Sequence, residues 1–235
     1  MYGGRTMRQR LGKTSGFSLT EMLVVVAIIS ALAAVLLPVY CKVRSQSRQS
    51  ICSSNMRQLG EAFTMYADDN DGVLPCPGGE VGDRNYWDPR LEEYTKCRRD
   101  KEPNIWICPQ HTQRWKLPYE KRSYSMNMYL RTPPDIDPWQ VNIYVRTGIA
   151  VTNIDDPVKT ILICEGSWDL ATGYVDRPAN WETVAGYRIT RTTARHMGGN
   201  NYLFCDGHIK WMTIEDSIDP VNLWYVRAAK RRGTH

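Results

Sequence analysis

Apolar residues follow three regimes along this chain. From Phe17 to Cys41 they run almost unbroken for 25 residues, with Glu21 the single charge. From Cys52 to Tyr66 they recur at helical spacing. Beyond about Gly82 they come in short bursts cut by Pro, Gly, Asn and Asp. The first regime predicts a helix of about 37 Å, long enough to cross a bilayer with some tilt. In the second, Cys52, Met56, Leu59, Phe63 and Tyr66 are spaced 4-3-4-3, a stripe down one helix face. Phe17 to about Tyr66 therefore reads as one long helix, short of an intrahelical hydrogen bond at Pro38. "YADDNDGVLPCPGG" ends it. The third regime predicts strands at "NIWIC", "VNIYV" and "TILIC". It also predicts a hairpin at "NYLFCDGHIKWM", turning at Asp206-Gly207 as a type I′ pair. The fold class is α+β: a long helix against a mainly antiparallel sheet with ample loop.

Charge sharpens the first regime. Of the net charge of +5, Arg5, Arg8, Arg10 and Lys13 supply four ahead of Gly16, with no acid among them. The positive-inside rule then puts the N-terminus in the cytoplasm and the bulk of the chain outside. That bulk is close to neutral, which argues against a nucleic-acid binder. The basic run "RAAKRRGTH" reads as a solvated C-terminus. A secretory signal peptide would have a shorter apolar core followed by a small-residue cleavage site. Here the core is followed by Pro38-Val39-Tyr40 and "CKVRSQSRQS".

The chain of 235 residues is 42% hydrophobic, enough for one globular domain with an appended element. Tyr (13) and Trp (8) far outnumber Phe (3), so an aromatic core with polar handles is expected. Among seven cysteines no C-x-x-C pair occurs, which disfavours a zinc ribbon or thioredoxin site. Cys97 and Cys108, eleven apart, could close a loop in an oxidising compartment; a buried free thiol is the equal alternative. Asp68, Asp69, Asn70, Asp71 and Gly72 faintly suggest a calcium loop, but the EF-hand spacing and its distal Glu are missing. A solvated, helix-ending turn is the better reading, and neither a cofactor nor a metal is expected. His196, Asp206 and His208 invite a metal or hydrolase, yet period-2 geometry places them poorly for convergence. Asp206 reads as a turn residue and His196 as a partner for a nearby loop. Cys205 with His196 as a thiol dyad is weaker than an inert thiol. No G-x-S-x-G, P-loop or H-E-x-x-H motif is present.

Glu21 needs its own explanation, because a charge within a membrane segment is costly and marks function by default. The order Gly16-Phe17-Ser18-Leu19-Thr20-Glu21, behind a short basic leader, resembles the processing site of type IV prepilins and type II secretion pseudopilins. Glu21 stands fifth after Gly16 and Pro38 twenty-second. The resemblance implies a prepilin peptidase that cuts after Gly16 and methylates Phe17. It implies helices that bundle into a filament, with Glu21 offsetting the new α-amino group at the positive end of the helix dipole. A second resemblance rests on "CSSNMRQLGEAFTMYADDNDGVLP", "WICP", "SYSMN" and "RHMGGNNYLFCDGHIKWM". These are similar to a large pilin-like family of planctomycete and verrucomicrobial-type bacteria, whose signature is a His, nine residues and Asp-Gly. Here that signature is His196, Asp206 and Gly207.

The expected organisation is a leader at 1–16, a transmembrane helix at 17–41 and its amphipathic continuation at 42–66. An extracytoplasmic head follows at 67–217, and 218–235 has no assigned place. The expected function is that of a filament subunit in the bacterial inner membrane, not an enzyme. Its partners would be the peptidase, other pilin subunits and the membrane. Two alternatives stand beside it. One is a membrane-tethered module that binds polysaccharide or another ligand through Trp87, Trp139, Trp168 and Trp181. The other is a tethered hydrolase using His196 and Asp206.

Overall fold

The computed structural model describes residues 18–77, 87–98, 101, 104–111, 122–127, 129–131, 148–165, 174–175, 194–217 and 220–227. Helix α1, Leu19–Asp69, runs 51 residues and is continuous through Pro38. The chain divides into two units at Arg44/Ser45. In the first, every residue from Ser18 to Arg44 is exposed, including Leu36 and Leu37 at more than 60%. This helix is long and apolar enough to cross a membrane.

In the second unit the predicted stripe turns inward. Cys52, Met56, Leu59, Phe63 and Tyr66 are all buried. The helix stops where its sequence becomes Asn-Asp-Gly: the Gly72 amide donates to the Ala67 carbonyl at 2.8 Å, with Asp71 and Gly72 both at positive φ. Helix α2, Trp87–Thr95, packs its Trp87 ring against Phe63 and Trp106, at 5.5 and 5.8 Å between centroids.

The sheet contains β1 (Tyr124–Asn127), β2 (Ile161–Glu165), β3 (Tyr174–Val175), β4 (Asn200–Phe204) and β5 (Ile209–Met212). Their spatial order is β3-β1-β2-β4-β5. β1, β2, β4 and β5 are antiparallel neighbours, and the two-residue β3 lies parallel to β1 at the edge. "TILIC" and "NYLFCDGHIKWM" form strands as expected. "NIWIC" does not. Its Asn104 side chain accepts from the Trp106 amide at 2.9 Å, and the Trp106 indole donates to the Cys97 carbonyl at 2.9 Å. Local side-chain bonding and one buried ring thus hold this stretch as turns. "VNIYV" lies outside the described residues.

Helix α1 covers one face of the sheet, so close that a Cβ at Gly60 would meet Leu203 at 3.1 Å. On the other face Cys164 and Tyr202 are cross-strand partners, and the Tyr202 ring meets Trp224 edge-on at 6.2 Å. The stretch left without a place therefore contributes to the core, since Trp224 and Val226 are buried. The Asn127 amide ties it in, donating to the carbonyls of Ile161 and Trp224 at 2.8 Å each.

Turn chemistry differs from expectation at the hairpin. Gly207 donates to the Phe204 carbonyl at 3.0 Å and Phe204 to that of His208 at 2.9 Å. Asp206 has no positive φ, while Gly207 has φ +91°. This is a three-residue loop closed by a glycine bulge, not a type I′ turn. The I′ geometry sits upstream, at Met197-Gly198 (φ +52° and +88°), between His196 and Gly199, which exchange amide bonds at 3.0 and 3.2 Å.

Candidate functional site

Two regions carry chemistry, one in each unit. The first is the start of α1. The Ser18 amide donates to Glu21 Oε2 at 2.9 Å, and the Glu21 amide donates to Ser18 Oγ at 3.2 Å. This is a capping box, satisfying two of the helix's orphan amides reciprocally. The S-x-x-E spacing from Ser18 to Glu21 is the sequence signal for this cap, beside the ion-pair role expected of Glu21. Gly16 and Phe17, the expected processing residues, lie outside the described residues.

The second region lies in the core of the second unit. Four side chains from four segments converge there: Cys52 on α1, Cys108 after the Trp106 turn, Glu165 ending β2, and His196 opening the I′ turn. Their ligand-capable atoms all lie within 4.8 Å of one another, and each side chain is at most 1% exposed. Each is aimed by its own backbone. The helical period puts Cys52 on the inward stripe. Asn55, three residues on, donates to the Ile107 carbonyl at 3.3 Å and draws the Cys108 loop onto the helix. Alternation along β2 sends Glu165 away from Cys164, which faces the other side. The Trp211 indole holds the His196 carbonyl at 2.8 Å.

Glu165 is the hub of this cluster. Its Oε1 accepts from the Cys52 thiol and lies 2.6 Å from His196 Nε2. Its Oε2 accepts from the Asn201 amide at 2.9 Å. Cys108 Sγ lies 3.5 Å from His196 Nε2, and the Tyr124 hydroxyl is 3.1 Å from Cys52 Sγ. His196 Nδ1 has no hydrogen-bond partner among the described residues. Burial pushes the Cys52 thiol far up, reinforced by its hydrogen bond to Cys108. That bond brings the Cys108 thiol down to about 6, against the opposing effect of burial. Burial alone would lower His196, but hydrogen bonds to Cys108 and Glu165 outweigh it and raise the imidazole to about 9.

The sequence-predicted residues fare unevenly. His196 partners Cys108, on a loop as expected, and also Glu165 at the end of β2. Asp206 is exposed, 2.6 Å from His208 Nδ1, so it and His196 have separate partners and no hydrolase pair forms between them. Gly207 closes the hairpin. No disulfide joins Cys97 and Cys108; Cys108 faces the cluster instead. Cys52 and Glu165 were missed, since ligands separated by dozens of residues leave no spacing signal. Trp87 is core, and Trp139, Trp168 and Trp181 lie outside the described residues. Cys205, half-buried in the hairpin turn, is not one of the four converging side chains.

Among known proteins, a family model described as the prokaryotic N-terminal methylation motif matches residues 11–37. That span holds Gly16, Phe17, Glu21 and most of the apolar helix. The N-terminal segment is a prepilin-type signal. No curated protein and no solved structure matches the chain. Such a motif suggests a structural subunit, and the apolar helix is consistent with an inner-membrane anchor.

Proposed function

We propose that this prepilin-type protein is a pseudopilin-like subunit, cleaved after Gly16, N-methylated on Phe17 and assembled through α1 into a type II secretion or type IV pilus-like filament. One observation carries the reading: the methylation motif leads into a helix whose residues 18–44 are all exposed. So much apolar surface needs lipid before assembly and neighbouring helices afterwards, where apolar packing and an offset charge at Glu21 hold subunits in register. The leader stays in the cytoplasm and the head faces the periplasm, as the basic flank dictates. The narrower likeness, to the pilin-like family with the His196, Asp206 and Gly207 signature, belongs to this reading. Its support is local, in a glycine-closed hairpin beside a buried histidine. Calcium at Asp68 to Gly72 has no role in it.

N-terminal sequencing and intact mass of the protein from membranes of a host with a prepilin peptidase test the proposal. The expected chain begins at N-methyl-Phe17. A chain still starting at Met1 in such a host would leave an ordinary anchored protein.

A further inference from the structure

The core cluster has no part in processing or helix bundling, and its composition asks for an occupant. We propose that Cys52, Cys108, Glu165 and His196 bind one structural zinc ion, which clamps the inner half of α1 to the sheet and loops of the head.

Geometry comes first. With Zn–S near 2.3 Å and Zn–N or Zn–O near 2.0 Å, a tetrahedral site sets its donors about 3.3 to 3.8 Å apart. The Cys108 Sγ to His196 Nε2 separation is 3.5 Å, and no pair of donor atoms exceeds 4.8 Å. To admit the ion, His196 Nε2 and Glu165 Oε1, at 2.6 Å, must part by somewhat under 1 Å, and the hydrogen-bonded Cys52 Sγ and Glu165 Oε1 by somewhat more.

Donor chemistry comes second. Two thiols, an imidazole and a carboxylate suit a borderline-soft ion that tolerates four-coordination, whereas calcium and magnesium want oxygen alone. On binding, Zn2+ displaces the proton that the Cys52 thiol donates to Glu165 and the one proton shared between Cys108 Sγ and His196 Nε2, so both cysteines bind as thiolates and His196 as a neutral imidazole. Both protons leave to solvent, and four coordinate bonds form with no change of oxidation state. The carboxylate is already oriented for this, because the Asn201 amide holds Oε2 and leaves Oε1 turned inward. With every ligand buried, no position is left open for substrate, so the site is structural rather than catalytic.

Two metal-free states compete with zinc. Cys52 and Cys108 are near enough for oxidation to join them, and Glu165 with His196 could stand alone as a buried ion pair. The test uses the full chain purified in detergent without chelators. Elemental analysis is expected to give about one zinc per chain, falling below about 0.2 in the Cys52→Ser/Cys108→Ser double variant and holding in Cys205→Ser. Chelation should lower the melting temperature by about 10 °C or more, with recovery on adding Zn2+ and none with Ca2+ or Mg2+. Should the double variant fail to fold, cobalt decides on the unaltered chain. Co2+ exchanged into the site must show thiolate-to-cobalt charge transfer and a tetrahedral visible spectrum. A folded, metal-free chain overturns the proposal, whether lighter by two thiol hydrogens with a Cys52–Cys108 bridge or carrying free thiols that take up no cobalt.

Discussion

One substitution separates the capping role of Glu21 from the assembly role proposed for it. Its carboxylate caps α1 through the Ser18 amide; on our reading it also offsets the amine uncovered at Phe17. Glutamine serves the same place in a capping box but carries no charge. Glu21→Gln should therefore still be cleaved and still start its helix, yet assemble as poorly as Glu21→Ala. Sheared-filament yield, read beside the N-terminal sequence, checks both halves. Wild-type yield from the glutamine variant would leave capping as the only role. Gly199 is a different kind of constraint. A Cβ there would lie 2.7 Å from the Met212 carbonyl and from the Trp211 ring that steadies His196. Gly199→Ala should destabilise the chain by about 2 kcal/mol or more, measured as a fall in the denaturant midpoint in detergent.

Among the elements, the segment from Asn222 to Val226 has more weight than its irregular sequence suggests. Trp224 covers the sheet face opposite α1, meets Tyr202 edge-on, and donates through its indole to Ser217 Oγ at 3.1 Å. Its truncation would remove a large buried ring together with the indole bond to Ser217 Oγ, whose own hydroxyl still donates to the Ile214 carbonyl at 2.6 Å. Trp224→Ala is expected to cost about 3 to 5 kcal/mol, seen as early loss of Trp and Tyr near-ultraviolet dichroism on heating. Element type was readable wherever the pattern was strong: the 4-3-4-3 stripe is buried as drawn, and "TILIC" and "NYLF" fall in strands. It failed at "NIWIC", where β-prone residues in a five-residue window were overridden by an Asn104 turn and the Trp106 indole bond. It also misplaced the I′ turn, since Asp-Gly serves equally as the end of a bulged loop and as a primed pair.

For the whole molecule, the two units answer to different solvents. The unit ending at Arg44 exposes its apolar surface, while the unit from Ser45 buries its own around a sheet. Processing is the event that should divide leader from subunit. It removes four basic residues along with residues 1–16, so the same chain in a host lacking the peptidase should keep Met1 and yield no filament. Intact mass across the two hosts measures this directly. In the head, the proposed zinc clamp would make stability depend on metal supply. Filament assembly from a head depleted of metal then becomes a second readout of the same clamp.

The amino-acid order alone determined the membrane segment, the prepilin-type signal and the long helix. Each of these depends on neighbours close in sequence, through charge flanks, apolar length and helical period. Tertiary structure decided the rest. Cys52, Cys108, Glu165 and His196 come from four segments, each oriented by a local rule: a helix face, an Asx turn, strand alternation, a primed turn. None of those rules refers to the other three, so their meeting point exists only once α1 is laid across the sheet. The two carboxylates show the contrast: Glu21 is explained by residues within one helical turn, and Glu165 by residues up to 113 positions away.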